Sequence, residues 1–183
     1  MSDNQVGFAA LLRHFAESEI EWRVGRSGIS KKGQPWVMPL AYLTSRAVMD
    51  RLDDVVGPDL WQDEYRTDSY PDRDGAPKLL IECRLSLFCG QDWITKCDVA
   101  PPTDFEPIKG GYSDAFKRAA VKWGIGRYLY SLEPSLAQTT TDKPPSNAGY
   151  KKELVKDGTD KVLVWWKPPS LPDWALPKSA DLR

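Results

Sequence analysis

The stretch KLLIECRLSLF, residues 78–88, alternates along its length: Leu80, Glu82, Arg84 and Ser86 recur at every second position between apolar neighbours. Side chains of a strand point to opposite faces in turn, so this segment can bury one face and leave the other half-solvated. A strand of that kind needs antiparallel partners, and the chain supplies them on both sides. LWQDEYRT precedes it and DWITKCDVA follows, joined through the turn-rich segments SYPDRDGAP and CGQD. The half-apolar sheet must then be covered. A proline-rich loop, PPTDFEPIKGG, leads directly into a long segment of helical spacing.

The flanks complete the outline. FAALLRHFAESEIEW has apolar residues at 8, 11, 12 and 15 and predicts an N-terminal helix, followed by a basic, Gly-rich loop, GRSGISKKGQPW. AYLTSRAVMDRLDDVVG predicts a second helix through Leu43, Ala47, Val48, Leu52 and Val55, stopped by Gly57 and Pro58. After Leu132 the pattern weakens: PSLAQTTTDKPPSNAG reads as a long loop, YKKELVKDG as a short helix or turn, and DKVLVWWKPP as a late strand. The order predicts an α+β fold with a β-β-β-α core: an antiparallel meander on a long helix, flanking N-terminal helices and a late C-terminal strand. We expect residues 1–132 to form one domain, and 133–183 an extension packed on it or on a neighbour.

Composition narrows the function. The chain has 183 residues, 41% hydrophobic, with eight tryptophans, which excludes a wholly disordered protein. No apolar run approaches the roughly 20 residues that span a bilayer, and the N-terminus lacks a secretory pattern, so a cytoplasmic protein without membrane contact is expected. Cys83, Cys89 and Cys97 show no CxxC spacing, and His14 is the one histidine. That leaves little for a zinc site or a histidine-based nucleophile, and no cofactor or metal is expected.

The strongest signal is GGYSDAFKRAAVKWGIGRYLY, residues 110–130. Formal net charge is −1, yet Lys109, Lys117, Arg118, Lys122 and Arg127 face a single acid, Asp114, in this region. Stepping 100° per residue places Phe116, Ala119, Ala120, Trp123 and Tyr130 on a core-facing stripe and the cations opposite. Val121 and Ile125 lie between, so the helix is apolar on two sides, and a neighbouring subunit would cover the second. Gly124 and Gly126 fit a helix end or a close backbone approach. KGGYSDAFK lacks the spacing and the GK[ST] of a phosphate-binding P-loop. A basic helical face is usually solvated surface. Here the near-absence of acids and the adjacent apolar surface favour a groove that tracks phosphates.

YSDAFKRAAVKWGIGRYLY closely resembles the signature helix of single-strand annealing proteins, the Rad-fifty-two family and its DdrA-like phage and bacterial relatives. YLTSRAVMDRLDDVVGPDLW resembles the same family's earlier block, and together the likeness covers roughly residues 8–132. It implies single-stranded DNA binding and ATP-independent annealing of complementary strands in recombination and repair, by a homo-oligomeric ring or filament. A single-strand binding protein is an expected partner. It further implies that Lys117, Arg118 and Arg46 contact the DNA backbone; Lys122, Lys96 and Lys109 are further candidates for a second or outer contact. Two departures from the family pattern are Val121, where another arginine is common, and Pro58, where an aromatic is common.

Two other classes compete. Pro71-Asp72, with Glu82 and Arg84 following, echoes a PD-(D/E)xK metal nuclease, although arginine replaces the lysine and Asp72 sits in a PDRDG turn. Asp50, Asp53 and Asp54 share a helical face, the usual pattern of a solvated surface. VLVWWKPPSLPDW could instead dock a protein, since Trp165 and Trp166 point to opposite faces of a strand.

Overall fold

A computed structural model of the chain describes residues 7–104 and 106–178. Its residues divide into two compact units. Among the described residues, one comprises 7–15, 43–104, 106–130 and 177–178; the other comprises 16–42 and 131–176. Residues 16–42, which the sequence reading places in the first domain, therefore group with the C-terminal part.

The first unit holds the expected β-β-β-α core. Strand β3 (Trp61–Pro71) pairs antiparallel with β4 (Pro77–Cys89), which pairs antiparallel with β5 (Asp92–Ala100). The alternation of β4 is realised as the pattern requires: Ile81, Cys83, Leu85 and Leu87 are all fully buried. On the opposite face Glu82 and Arg84 form an ion-pair ladder with Glu64. Helix α2 (Pro107–Lys122) covers the apolar face with Ala115, Phe116, Ala119 and Ala120. Proline at its first position costs nothing, because the missing N–H would have had no intrahelical partner. The paired glycines serve packing: a Cβ on Gly111 would stand 2.5 Å from Ile81 Cδ1 and 3.3 Å from the Pro101 carbonyl. Side chains of any size would push the helix off the sheet.

Helix α1 (Ser45–Val55) starts where Thr44 Oγ1 accepts the Ala47 N–H at 3.1 Å, and it buries Val48 and Leu52. Arg51 ties the preceding segment to it, donating to the Arg13 carbonyl at 2.8 Å with its guanidinium 3.9 Å from the Phe15 ring centroid.

Several expectations are corrected. The N-terminal helix is only a 3-10 turn, Phe8–Leu12; Leu11 and Phe15 are buried but Leu12 is exposed. The helical spacing stops there, and Ile20, Trp22 and Val24 take up a period of two in β1 (Ile20–Ile29). The basic, Gly-rich loop is instead the paired strands β1 and β2 (Pro35–Leu43), turning through residues 30–34 with Ser30 N–H donating to Gln34 O at 2.8 Å. YKKELVKDG forms a strand, β7 (Lys151–Asp157), not a helix, because it joins β8 (Asp160–Lys167) through a two-residue Gly158-Thr159 turn. A short β6 (Gln138–Thr140) flanks β8 on its other side, so β8 is the central strand of this second-unit sheet. Its core is Val155, Val164 and Trp166. Among the described residues no helix is long and apolar enough to cross a membrane.

Candidate nucleic-acid interface

Helix α2 ends abruptly, and its end organises the cations. Gly124 adopts φ +101°, a left-handed conformation that terminates a helix at little cost only in glycine. The chain folds back into a 3-10 turn, Arg127–Ser131, so Arg127 can cap the free carbonyls: Nε donates to Val121 O at 3.0 Å and a terminal nitrogen to Lys122 O at 2.9 Å. Lys96 of β5 donates to the same Lys122 carbonyl at 3.1 Å, its ammonium 4.1 Å from the Trp123 ring centroid. Cations at a helix C-terminus complement its partial negative charge.

Asp98, also on β5, links this cluster to the helix. Arg118 donates twice to its Oδ1, at 3.0 and 3.1 Å, and Lys122 Nζ lies 3.5 Å from its Oδ2 while also donating to the Cys97 carbonyl. Burial opposes ionisation of Asp98. The Val99 N–H, Arg118 and Lys122 outweigh it and hold the carboxyl below the usual range. Arg118 and Lys122 remain half-exposed, so their outer faces are open to a phosphate.

The six residues singled out by sequence are thus not one cluster. Arg118 and Lys122 come together on Asp98, and Lys96 joins them through the Lys122 carbonyl. Lys117 lies about 100° around the helix from Arg118, its side chain only 17% exposed and 2.9 Å from Asp114. The Ser45–Ser113 hydroxyl pair, 2.7 Å apart, brings α1 against that other side. Arg46, next to Ser45, is exposed and makes no ion pair among the described residues. Lys109 is bound to Glu106 at 2.9 Å at the opposite end of α2, about 20 Å along the axis from Lys122.

The helix's apolar side also differs from the helical-wheel reading. Tyr130 is 70% exposed, because the chain has already left the helix there. Ile125 is buried inside the first unit itself, so its burial needs no neighbouring subunit. Asp98 went unnoticed in the sequence. Its signal was the register: on β5 it alternates with Cys97 and Val99 and shares a face with Lys96. Phe8 and Trp123 stack at 6.3 Å, and His14 stacks on Tyr128 at 3.9 Å, which uses the histidine in packing.

The nuclease constellation is not assembled. Asp72 spends its carboxylate inside the β3–β4 turn, where Oδ1 accepts the Asp74 and Ala76 N–H groups, both at 2.9 Å. Glu82 lies five residues down β4 from Pro77, about 17 Å from the tip, opposite Arg66 in the register and ion-paired with Arg84. Cys83 is buried opposite Tyr65, and burial pushes its thiol up to about 12. Asp53 accepts the Trp61 indole N–H at 2.6 Å, a structural role.

A three-stranded meander with a helix across its apolar face, and cations gathered at the end of that helix, define a β-β-β-α fold with a basic helix end. Residues 7–148 match the Rad52/22 family of double-strand break repair proteins. The chain belongs to that family. It is 32% identical over 165 residues, 89% of its length, to the single-stranded DNA-binding protein DdrA of Deinococcus deserti. To the protein of the same name in Deinococcus radiodurans it is 36% identical over 140 residues, 75% of its length. The chain spans 66% and 53% of those relatives, respectively.

Proposed function

We propose that this protein binds single-stranded DNA and anneals complementary strands in recombination and repair, without ATP. The observation that carries the reading is the half-exposed Arg118–Lys122 pair, joined by Lys96 at the end of α2, with Asp98 the one acid they share. Phosphates replace part of what Asp98 now supplies. Arg46 adds an exposed cation beside the start of α1, and Lys117 reaches a phosphate by releasing Asp114. With phosphates held and bases outward, a second strand tests its register. Pairing itself supplies the driving force, since stacking contributes on average about 1.4 kcal/mol per base-pair step. The family resemblance and the relatives' names support this reading. It extends to assembly as a homo-oligomeric ring or filament, to cooperation with a single-strand binding protein, and to action in the cytosol or nucleoid.

The test measures binding of labelled oligo(dT) across a salt series, and annealing of two complementary strands without nucleotide. Arg118→Ala and Lys117→Ala should each weaken binding to every sequence and lower the salt slope by about 0.7 for the lost phosphate contact. Asp72→Ala should leave annealing unchanged. The reading fails if both cation variants bind like the parent. It also fails if Mg²⁺-dependent cleavage appears and is abolished by Asp72→Ala while annealing is never accelerated.

A further inference from the structure

The second unit carries a surface that the foregoing reading leaves unused. Along β8, alternation puts Lys161, Leu163, Trp165 and Lys167 on one face of the sheet, and the register sets Lys156, Leu154 and Lys152 of β7 opposite the first three. The other face is the buried one, with Val155, Val164 and Trp166. The acids of these two strands, Glu153, Asp157 and Asp160, all have the parity of that buried side. The open face therefore has four exposed lysines and no carboxylate from either strand. It also leaves Leu154 57% and Leu163 45% exposed, while Trp165 is half-buried with the Lys152 ammonium 5.3 Å from its ring centroid.

Such an arrangement works against the sheet on its own. Lys156 and Lys161 stand directly opposite each other, and like charges so placed are destabilising. A polyanion on this face removes that repulsion. Trp165 lies on the central strand with lysines on β7 and further along β8, so a planar base can take the place of the Lys152 ammonium over the indole while lysines hold the neighbouring phosphates. Lys161 and Lys167 are six residues apart, about 20 Å along the strand, room for several nucleotides. Stacking on an aromatic ring is indifferent to base identity, as annealing of any sequence would require.

We infer that the open face of the β6–β8–β7 sheet is a second contact surface for single-stranded nucleic acid, with Trp165 as stacking platform and Lys152, Lys161 and Lys167 as phosphate contacts. The inference shares its ligand class with the proposed function but rests on different residues, so each can fail without the other.

The experiment uses the full chain and labelled oligo(dT). Replacing Lys152, Lys161 and Lys167 together by Gln, all on the surface, should lower the salt slope by about 2, and Trp165→Phe should keep most of the affinity. Trp165→Ala should weaken binding about tenfold or more at unchanged slope. Irradiation of an iodouracil-substituted strand, followed by peptide mapping, should place a crosslink on Trp165. An unchanged slope in the triple variant, or crosslinks confined to the first unit, overturns the inference. So does loss of poly-glutamate binding in the triple variant with oligo(dT) binding intact, which would make the face a dock for an acidic protein. If the Lys117 and Arg118 variants are silent while the triple variant is not, the α2 site is wrong and this surface stands.

Discussion

Asp98→Asn separates an acid that positions cations from one that competes with DNA for them. In the folded chain Asp98 neutralises one of the two charges of Arg118 and Lys122. Asparagine keeps the Oδ1 acceptor that serves the Val99 N–H and Arg118 but removes the negative charge and the oxygen that faces Lys122. The pair would then present one more full cation to a phosphate, steepening the salt dependence of single-strand binding by about 0.7. The cost falls on stability. Arg118 and Lys122 are half in solvent, so the bridge is worth no more than about 1 kcal/mol, or about 2–4 °C in Tm for a chain of this size. The pH dependence supplies an internal check. Because the Asp98 carboxyl is held below its ordinary value of 3.8, its stabilisation is complete above that pH and is lost as pH falls below it. Parent and variant should therefore differ in Tm at neutral pH and converge in acid. Oligo(dT) anisotropy over a salt series and thermal melts at several pH values measure both effects. Weaker binding by a fully folded Asp98→Asn protein would refute the argument, because the acid would then be orienting the cations for DNA.

Two further outcomes follow from the packing. Gly124→Ala forces a side chain into φ +101° and sets its Cβ 2.9 Å from Leu12 Cγ, so a urea melt should show a loss of at least about 1–2 kcal/mol; an unchanged midpoint would mean the helix end rearranges freely. Burial holds the Cys83 thiol protonated to about 12, so a disulfide reagent at pH 8 should label Cys83 only on unfolding. Between the ordinary thiol value of 9.0 and 12 the unfolded chain alone releases that proton, so stability should fall as pH rises through that range.

The elements read correctly from sequence are those whose local pattern and burial agree. Residues 78–88 alternate because one face meets α2 and the other meets solvent, and no other packing satisfies both sets of side chains. The α2 segment was legible from its apolar stripe and the glycines that end it, although the sequence reading left Pro107–Gly111 in the preceding loop. The errors lie where a short segment takes its state from a partner. Phe8, Leu11, Leu12 and Phe15 have helical spacing, yet only one turn forms, and Arg51 of α1 donates to the carbonyls of Ala10 and Arg13 at its end. Residues 151–157 hold three lysines and two acids and have no strong preference of their own; pairing with β8 makes them a strand.

The same division runs through the candidate site. Sequence alone determined that the cations would be concentrated on the last turns of one helix, since charge and helical period are properties of neighbours along the chain. Tertiary structure decided which of them act together. A strand register brought Lys96 and Asp98 under Arg118 and Lys122, whereas the pairing of Lys117 with Asp114 and the place of Lys109 at the far end follow from the period of the helix itself. Strand pairing likewise placed the lysines of β7 and β8 on one open face, across a hairpin that turns at Gly158 and Thr159. Charge density is written in one dimension, but a binding surface requires two, and the second is supplied by pairing between segments distant in the chain.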